Sequence, residues 1–140
     1  MTTPIEFEGW TYREPPANPE AVAALSADSG IELPGEYLSL LHLSNGGEGP
    51  LGVEPGWFQF WPVEEVLASN GDYEVQKYLP GLFGFGSSGG GELLAFDTRR
   101  GPPWSVVMVP FIGMDQEDVV EIAVDFSRFM QAAGRELPDD

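Results

Sequence analysis

Apolar and polar positions alternate with a period of two in three places along the chain. The first is Trp57-Phe58-Gln59-Phe60-Trp61, where Phe58 and Phe60 fall on one side and Trp57, Gln59 and Trp61 on the other. The second is the pair Leu82-Phe83-Gly84-Phe85 and Glu92-Leu93-Leu94-Ala95-Phe96, joined by the Gly/Ser-rich stretch 86–91, which reads as a hairpin. The third is Trp104 to Phe111, dense in valine. The Phe58/Phe60 side of the first strand is expected in the core. The Trp57/Trp61 side admits two readings, simple packing or an exposed contact patch.

Helical spacing appears toward both ends. Asn18-Pro19-Glu20 has the composition of a helix start, with a capping Asn, a Pro at the first turn and an acid at the positive end of the dipole. That helix runs to about Ala27, and Gly30 can close it. Pro34-Gly35-Glu36 opens a second helix carrying Tyr37, Leu38, Leu40, Leu41 and Leu43, which Asn45-Gly46-Gly47 stops. Residues 47–56 read as a Gly/Pro/Glu loop. Val63 to Ser69 reads as a short helix closed by Asn70-Gly71, and Asp72 to Leu79 fits either class. Near the end, Val119, Ile122, Ala123, Phe126, Phe129 and Met130 share one helical face, so Asp115 is expected to cap a long closing helix through Ala133.

Strands grouped in the middle and helices at both ends predict an α+β fold: one domain with a mostly antiparallel central sheet, helices covering one face. Residues 1–17 form an irregular lead-in from which Ile5, Phe7 and Trp10 dock on the domain. Residues 18–134 form the domain and 135–140 a polar tail. A chain of 140 residues with 42% hydrophobic positions is long enough for one real core.

Charge changes this picture more than any motif. There are 23 acidic and 6 basic residues, a formal net charge of -17. Such a surface repels phosphate backbones and anionic lipids and speeds encounter with basic proteins, so nucleic acid and membrane are not expected as partners. Two readings of the acidity stay open, steering of a partner and plain solubility. The absence of cysteine removes disulfides and thiolate metal sites. The N-terminus carries neither the basic nor the apolar part of a signal peptide, and the longest apolar run, Val106 to Ile112, is broken by Pro110. The expected location is the cytoplasm.

Two sequence patterns imitate active sites. Gly84 to Gly89 fits G-x-G-x-x-G, and Gly86 to Gly90 fits G-x-S-x-G. Both motifs work by passing from a strand into a helix, whereas here a second strand follows. The single histidine, His42, precedes both and is expected at the edge of the core. The single lysine, Lys77, also lies upstream. Asp115, Glu117 and Asp118 lack the spacing of a calcium loop and read as compensation of a helix dipole. No catalytic residue, metal or cofactor is expected.

The ordered series Leu33-Pro34, Tyr37, Asn45-Gly46-Gly47, Pro62 to Val66, Asn70-Gly71-Asp72-Tyr73, Phe83 to Gly91, Glu92 to Asp97, Val106 to Val109 and Ile122 to Phe129 resembles the SUKH superfamily of Smi/Knr-type domains. The turn departs from that pattern by carrying Ser87-Ser88 in place of an acid. The resemblance implies an α+β domain without catalytic residues. It also implies a protein partner: many bacterial members resemble immunity proteins that bind a secreted toxin in the producer's cytoplasm, while fungal members are regulators or scaffolds of cell-wall synthesis. Joined to the charge, it makes a basic toxin domain the expected partner and a regulatory or scaffold module the alternative. The partner face is expected to use the acidic loop residues Glu48, Glu54, Asp72 and Glu92 with Trp57 and Trp61. The chain is expected as a monomer or a weak homodimer.

Overall fold

The computed structural model describes residues 5–138. Six strands, β1 (Gly47–Pro50), β2 (Trp57–Phe60), β3 (Leu82–Ser87), β4 (Glu92–Asp97), β5 (Ser105–Pro110) and β6 (Val120–Ala123), form one antiparallel sheet in the order of the chain. Five helices accompany it: α1 (Pro19–Asp28), α2 (Gly35–Leu43), α3 (Val63–Asp72), α4 (Val75–Tyr78) and α5 (Phe126–Ala132). The molecule is a single α+β domain, as the periodicities predict.

Local chemistry explains the helix ends. The Asn18 side chain accepts the Glu20 N–H at 2.8 Å and starts α1, and Gly30 follows its end at φ 78. Pro62 offers α3 no side-chain cap. Asn45 substitutes for it from a distance: its Oδ1 accepts the Val63 N–H at 2.7 Å and its Nδ2 donates to Glu64 at 2.8 Å. Asn45, just past the Ser44 that closes α2, thus starts α3.

Alternation splits the sheet's side chains into two cores. Phe58, Phe60, Phe83, Phe85, Leu94, Phe96 and Val106 face α1, α2 and α5, where Tyr37, Leu40, Phe126 and Phe129 complete the larger core. Leu82, Leu93, Ala95, Val107 and Val109 point the other way and are covered by Val75 and Leu79 at α4, with Met114. The expectation that helices cover one face is therefore corrected: a second, smaller layer lies on the opposite face, which is why every position of β3 is buried.

Four further corrections follow from packing. Residues 47–50 are not loop but the edge strand β1, paired with β2 from Gly47↔Phe60 to Pro50↔Trp57. Its glycines serve close approach: a Cβ at Gly47 (φ 120) would meet the Trp10 ring at 2.8 Å, and one at Gly49 the Trp10 backbone at 3.0 Å. Asn70 does not stop α3 but lies buried inside it, and the helix continues to Asp72. His42 is exposed on α2 rather than at the core edge. The long closing helix is replaced by a 3-10 turn at Gln116–Asp118, strand β6 and the short α5. Asp115 caps only that turn, and Asp125 caps α5 by accepting the Arg128 N–H at 2.8 Å. β-branched Val119, Val120, Ile122 and Val124 favour the extended form, in which β5 gains a partner.

The described part of the lead-in, residues 5–17, docks as expected; residues 1–4 lie outside the described residues. Ile5, Phe7 and Trp10 are partly buried against the larger core, and Trp10 meets Phe58 edge-on at 4.8 Å between ring centres. Its backbone pairs with β1 through Thr11, Tyr12 and Glu48 at 3.0 Å.

Candidate partner-binding face

The side of the sheet bearing α4 is only partly covered; of the six expected contact residues, Glu48, Trp57 and Trp61 lie on it and Asp72 lies at its rim, whereas Glu92, in step with Leu94 and Phe96, points toward the opposite face. At the β1–β2 end, Glu48 stands opposite Gln59. Its carboxylate accepts hydrogen bonds from Trp57 Nε1 at 3.1 Å and Gln59 Nε2 at 3.4 Å, and Ser87 Oγ donates to Gln59 Oε1 at 3.3 Å. Glu48, Trp57, Gln59 and Ser87 thus form a polar ribbon across three strands. Trp57 also lies against Gly89 in the β3–β4 turn, where a Cβ would stand 2.9 Å from its ring. That turn is closed by Ser88, whose Oγ accepts the Glu92 N–H at 3.2 Å.

Beyond Phe60 the chain places Trp61 on the same side. Trp61 stacks on Tyr73 with ring centres 6.3 Å apart and planes 14° apart, and Tyr73 meets Phe111 at 4.5 Å. Tyr73 is 45% exposed, Tyr78 51% and Ile112 93%. Tyr73, Tyr78 and Phe111 form an open aromatic patch beside Asp72 and Glu74, rimmed by Gly113 and Met114.

Between the ribbon and the lead-in runs an open groove of about 660 Å³. Tyr12 and Trp61 contribute aromatic surface to it, and Glu14, Glu48 and Glu65 contribute carboxylates; among the described residues no Lys, Arg or His lines it. The elements that build it are all local consequences of sequence. The Glu14 N–H donates to the buried Ser44 Oγ at 3.0 Å, and the Asn45 N–H donates to the Pro15 carbonyl at 2.8 Å, which holds the proline-stiffened lead-in beside the sheet.

The structure therefore brings Glu48 together with Trp57, and Trp61 together with Asp72 by way of Tyr73. Glu92 sits at the foot of the turn that Trp57 touches. Glu54 stands apart, exposed in the β1–β2 connection. The description of these acids as loop residues is corrected for three of them: Glu48 lies within β1, Asp72 ends α3 and Glu92 opens β4. Sequence reasoning missed Tyr12, Glu14, Glu65, Tyr73, Tyr78, Phe111 and Ile112. The one available signal was Tyr73 in the stretch Asn70-Gly71-Asp72-Tyr73; the others converge only in three dimensions.

Several of the cations are held by the protein itself. Arg99 forms a two-pronged pair with Asp97, both bonds at 2.9 Å, and this contact holds the Asp97 carboxyl below and the guanidinium above their ordinary pKa ranges. Lys77 pairs with Glu74 at 3.0 Å, and Arg13 lies 3.9 Å over the Phe7 ring. Among the described residues no group of three or more His, Cys, Asp and Glu side chains is arranged to hold a metal ion, and no helix is long and apolar enough to cross a membrane.

The model of the SMI1 / KNR4 family (SUKH-1) matches residues 16–132. No curated protein matches the chain.

Proposed function

The chain belongs to the SMI1 / KNR4 (SUKH-1) family, and from that premise we propose that it is a binding domain, not an enzyme, that neutralises a basic toxin domain in the cytoplasm as an immunity protein. The observation that carries this reading is the disposition of charge. A net charge of -17 lies on a domain whose acid-lined groove and aromatic patch stand open on the same side. A toxin that acts on nucleic acid must itself be basic to hold its substrate. An acidic inhibitor meets that surface with complementary charge, which raises the association rate and excludes the competing polyanion. Exposed Tyr73, Tyr78 and half-buried Trp57 and Trp61 supply the aromatic anchors that dominate such interfaces once water is expelled.

The test is co-expression. The reading frame beside the gene is examined for a secreted protein with a variable C-terminal domain, and that domain is produced in a sensitive host with and without this chain. Survival only in its presence, with a complex that weakens as salt rises, supports neutralisation. A neighbour devoted to cell-wall synthesis, or death of the host in both cases, moves the reading to a regulatory or scaffold module.

A further inference from the structure

The two edges of the sheet are treated differently by the chain. At β1 the outer edge is sealed. Thr11 and Tyr12 donate to the Glu48 carbonyl, Glu48 donates back to Tyr12, Gly134 donates to the Pro50 carbonyl, and Gly52 donates to Ala132. The lead-in and the end of α5 thus occupy that edge along its whole length. At β6 the opposite holds. Val120–Ala123 pairs with β5 alone, and among the described residues nothing bonds to its outer backbone groups. An open edge presents a row of donors and acceptors ready to accept another strand.

The side chains of β6 say which strand. Val120 pairs with Met108, which packs toward the larger core, and Ile122 packs against that core too. Val120 is 48% exposed and Ile122 is only partly buried, so this side of the edge is apolar and incompletely covered. Glu121 pairs with Val107 and projects on the opposite side, exposed to solvent. Exposed Asp115, Glu117 and Asp118 precede the strand and Asp125 follows it, while Arg99, which reaches Gln116 in the preceding turn, is already bound to Asp97. A second copy of the chain is disfavoured here, because it would bring the same acids and another charge of -17 to the edge.

We propose that β6 is a docking edge that accepts an extended basic segment of the protein partner, with apolar residues alternating with Lys or Arg. The apolar residues cover Val120 and Ile122, and the cations meet Glu121 and the flanking acids. Backbone bonds supply the register and the charges supply the choice of partner. The basic character of the partner is carried over from the function proposed above; the open edge is not.

The experiment uses the whole chain, labelled with ¹⁵N, and a short end-capped peptide alternating valine with lysine. Addition of the peptide is expected to shift the amides of Val120–Ala123 and slow their hydrogen exchange. Glu121→Lys, at an exposed site that leaves the core intact, is expected to weaken binding about tenfold, with Glu121→Gln in between. Four results overturn the proposal: no binding; equal binding of a valine–glutamate peptide; shifts confined to the groove at Tyr12, Glu48 and Trp61; or protection of Val120–Ala123 that grows with protein concentration in the absence of peptide, which marks self-pairing. The peptide involves no toxin, so its failure leaves neutralisation standing, and a failure of neutralisation leaves the edge site standing.

Discussion

Two buried polar side chains show opposite solutions to the same physical problem. Tyr37 is wholly buried among Phe85, Phe96 and Phe126, and among the described residues its hydroxyl finds no hydrogen-bond partner. Removing an unpaired buried hydroxyl relieves a desolvation cost, so Tyr37→Phe is expected to be neutral or to stabilise by about 1 kcal/mol in urea unfolding at pH 7. Burial also drives the phenol's pKa far above its ordinary 10.0. The unfolded chain then ionises first as pH rises past about 10, so stability falls above that pH, and the Phe variant lacks this part of the fall. Asn70 is the satisfied counterpart. Its Nδ2 donates to the carbonyls of Val66 at 2.8 Å and Gly84 at 2.9 Å, and its Oδ1 accepts from Gly84 N at 2.8 Å and Gln76 Nε2 at 3.1 Å. It therefore extends the ladder of β3 with a side chain. Asn70→Ala strands two backbone groups of Gly84 and is expected to cost about 2–4 kcal/mol by chemical denaturation.

At the scale of elements, the segment from Asp115 to Ala133 shows what a sequence pattern leaves open. Val119, Ile122 and Ala123 satisfy helical spacing, and the same residues satisfy an extended strand; only the gain of a ladder on β5 decides between them. The capping residues separate the two forms experimentally. Asp125→Ala is expected to lower stability by about 1 kcal/mol because it uncaps α5, whereas Asp115→Ala, at an exposed three-residue turn, should stay within about 0.5 kcal/mol in thermal unfolding. Elements whose signal is local were legible in advance: α1 from Asn18-Pro19-Glu20, β2 from its alternating aromatics, the β3–β4 hairpin from its glycines. β1 was not, because Gly47 and Gly49 look like loop until Trp10 is known to lie against them. The α4 layer was hidden for the same reason, since Val75 and Leu79 acquire a face only when Leu93 and Val107 arrive beneath them.

Over the whole molecule, 17 net negative charges lie on a surface of 7571 Å². That is close to the exposure expected for a chain of this size, so the field is set by composition rather than by an extended shape. Part of the candidate face could be read early, because acidity and aromatic alternation are visible residue by residue. Its geometry could not, since Trp61, Tyr73 and Phe111 follow the ends of three separate elements, β2, α3 and β5. Changing Glu48, Glu54, Asp72 and Glu92 together to Gln or Asn is expected to slow association with a basic partner roughly tenfold at low salt and to flatten the salt dependence, as measured by stopped-flow. The dissociation rate should move less, unless loss of the Glu48 carboxylate also frees Trp57. The seal on β1 carries a mechanical consequence. Glu8 and Gly9 cross Gly134 backbone to backbone, so tension applied through the two end segments enters and leaves the domain at one corner. The first bonds under load are those of Tyr12 with Glu48 and of Gly134 with Pro50. Stretching would peel that corner open like a flap while the phenylalanine core behind it still bore no force.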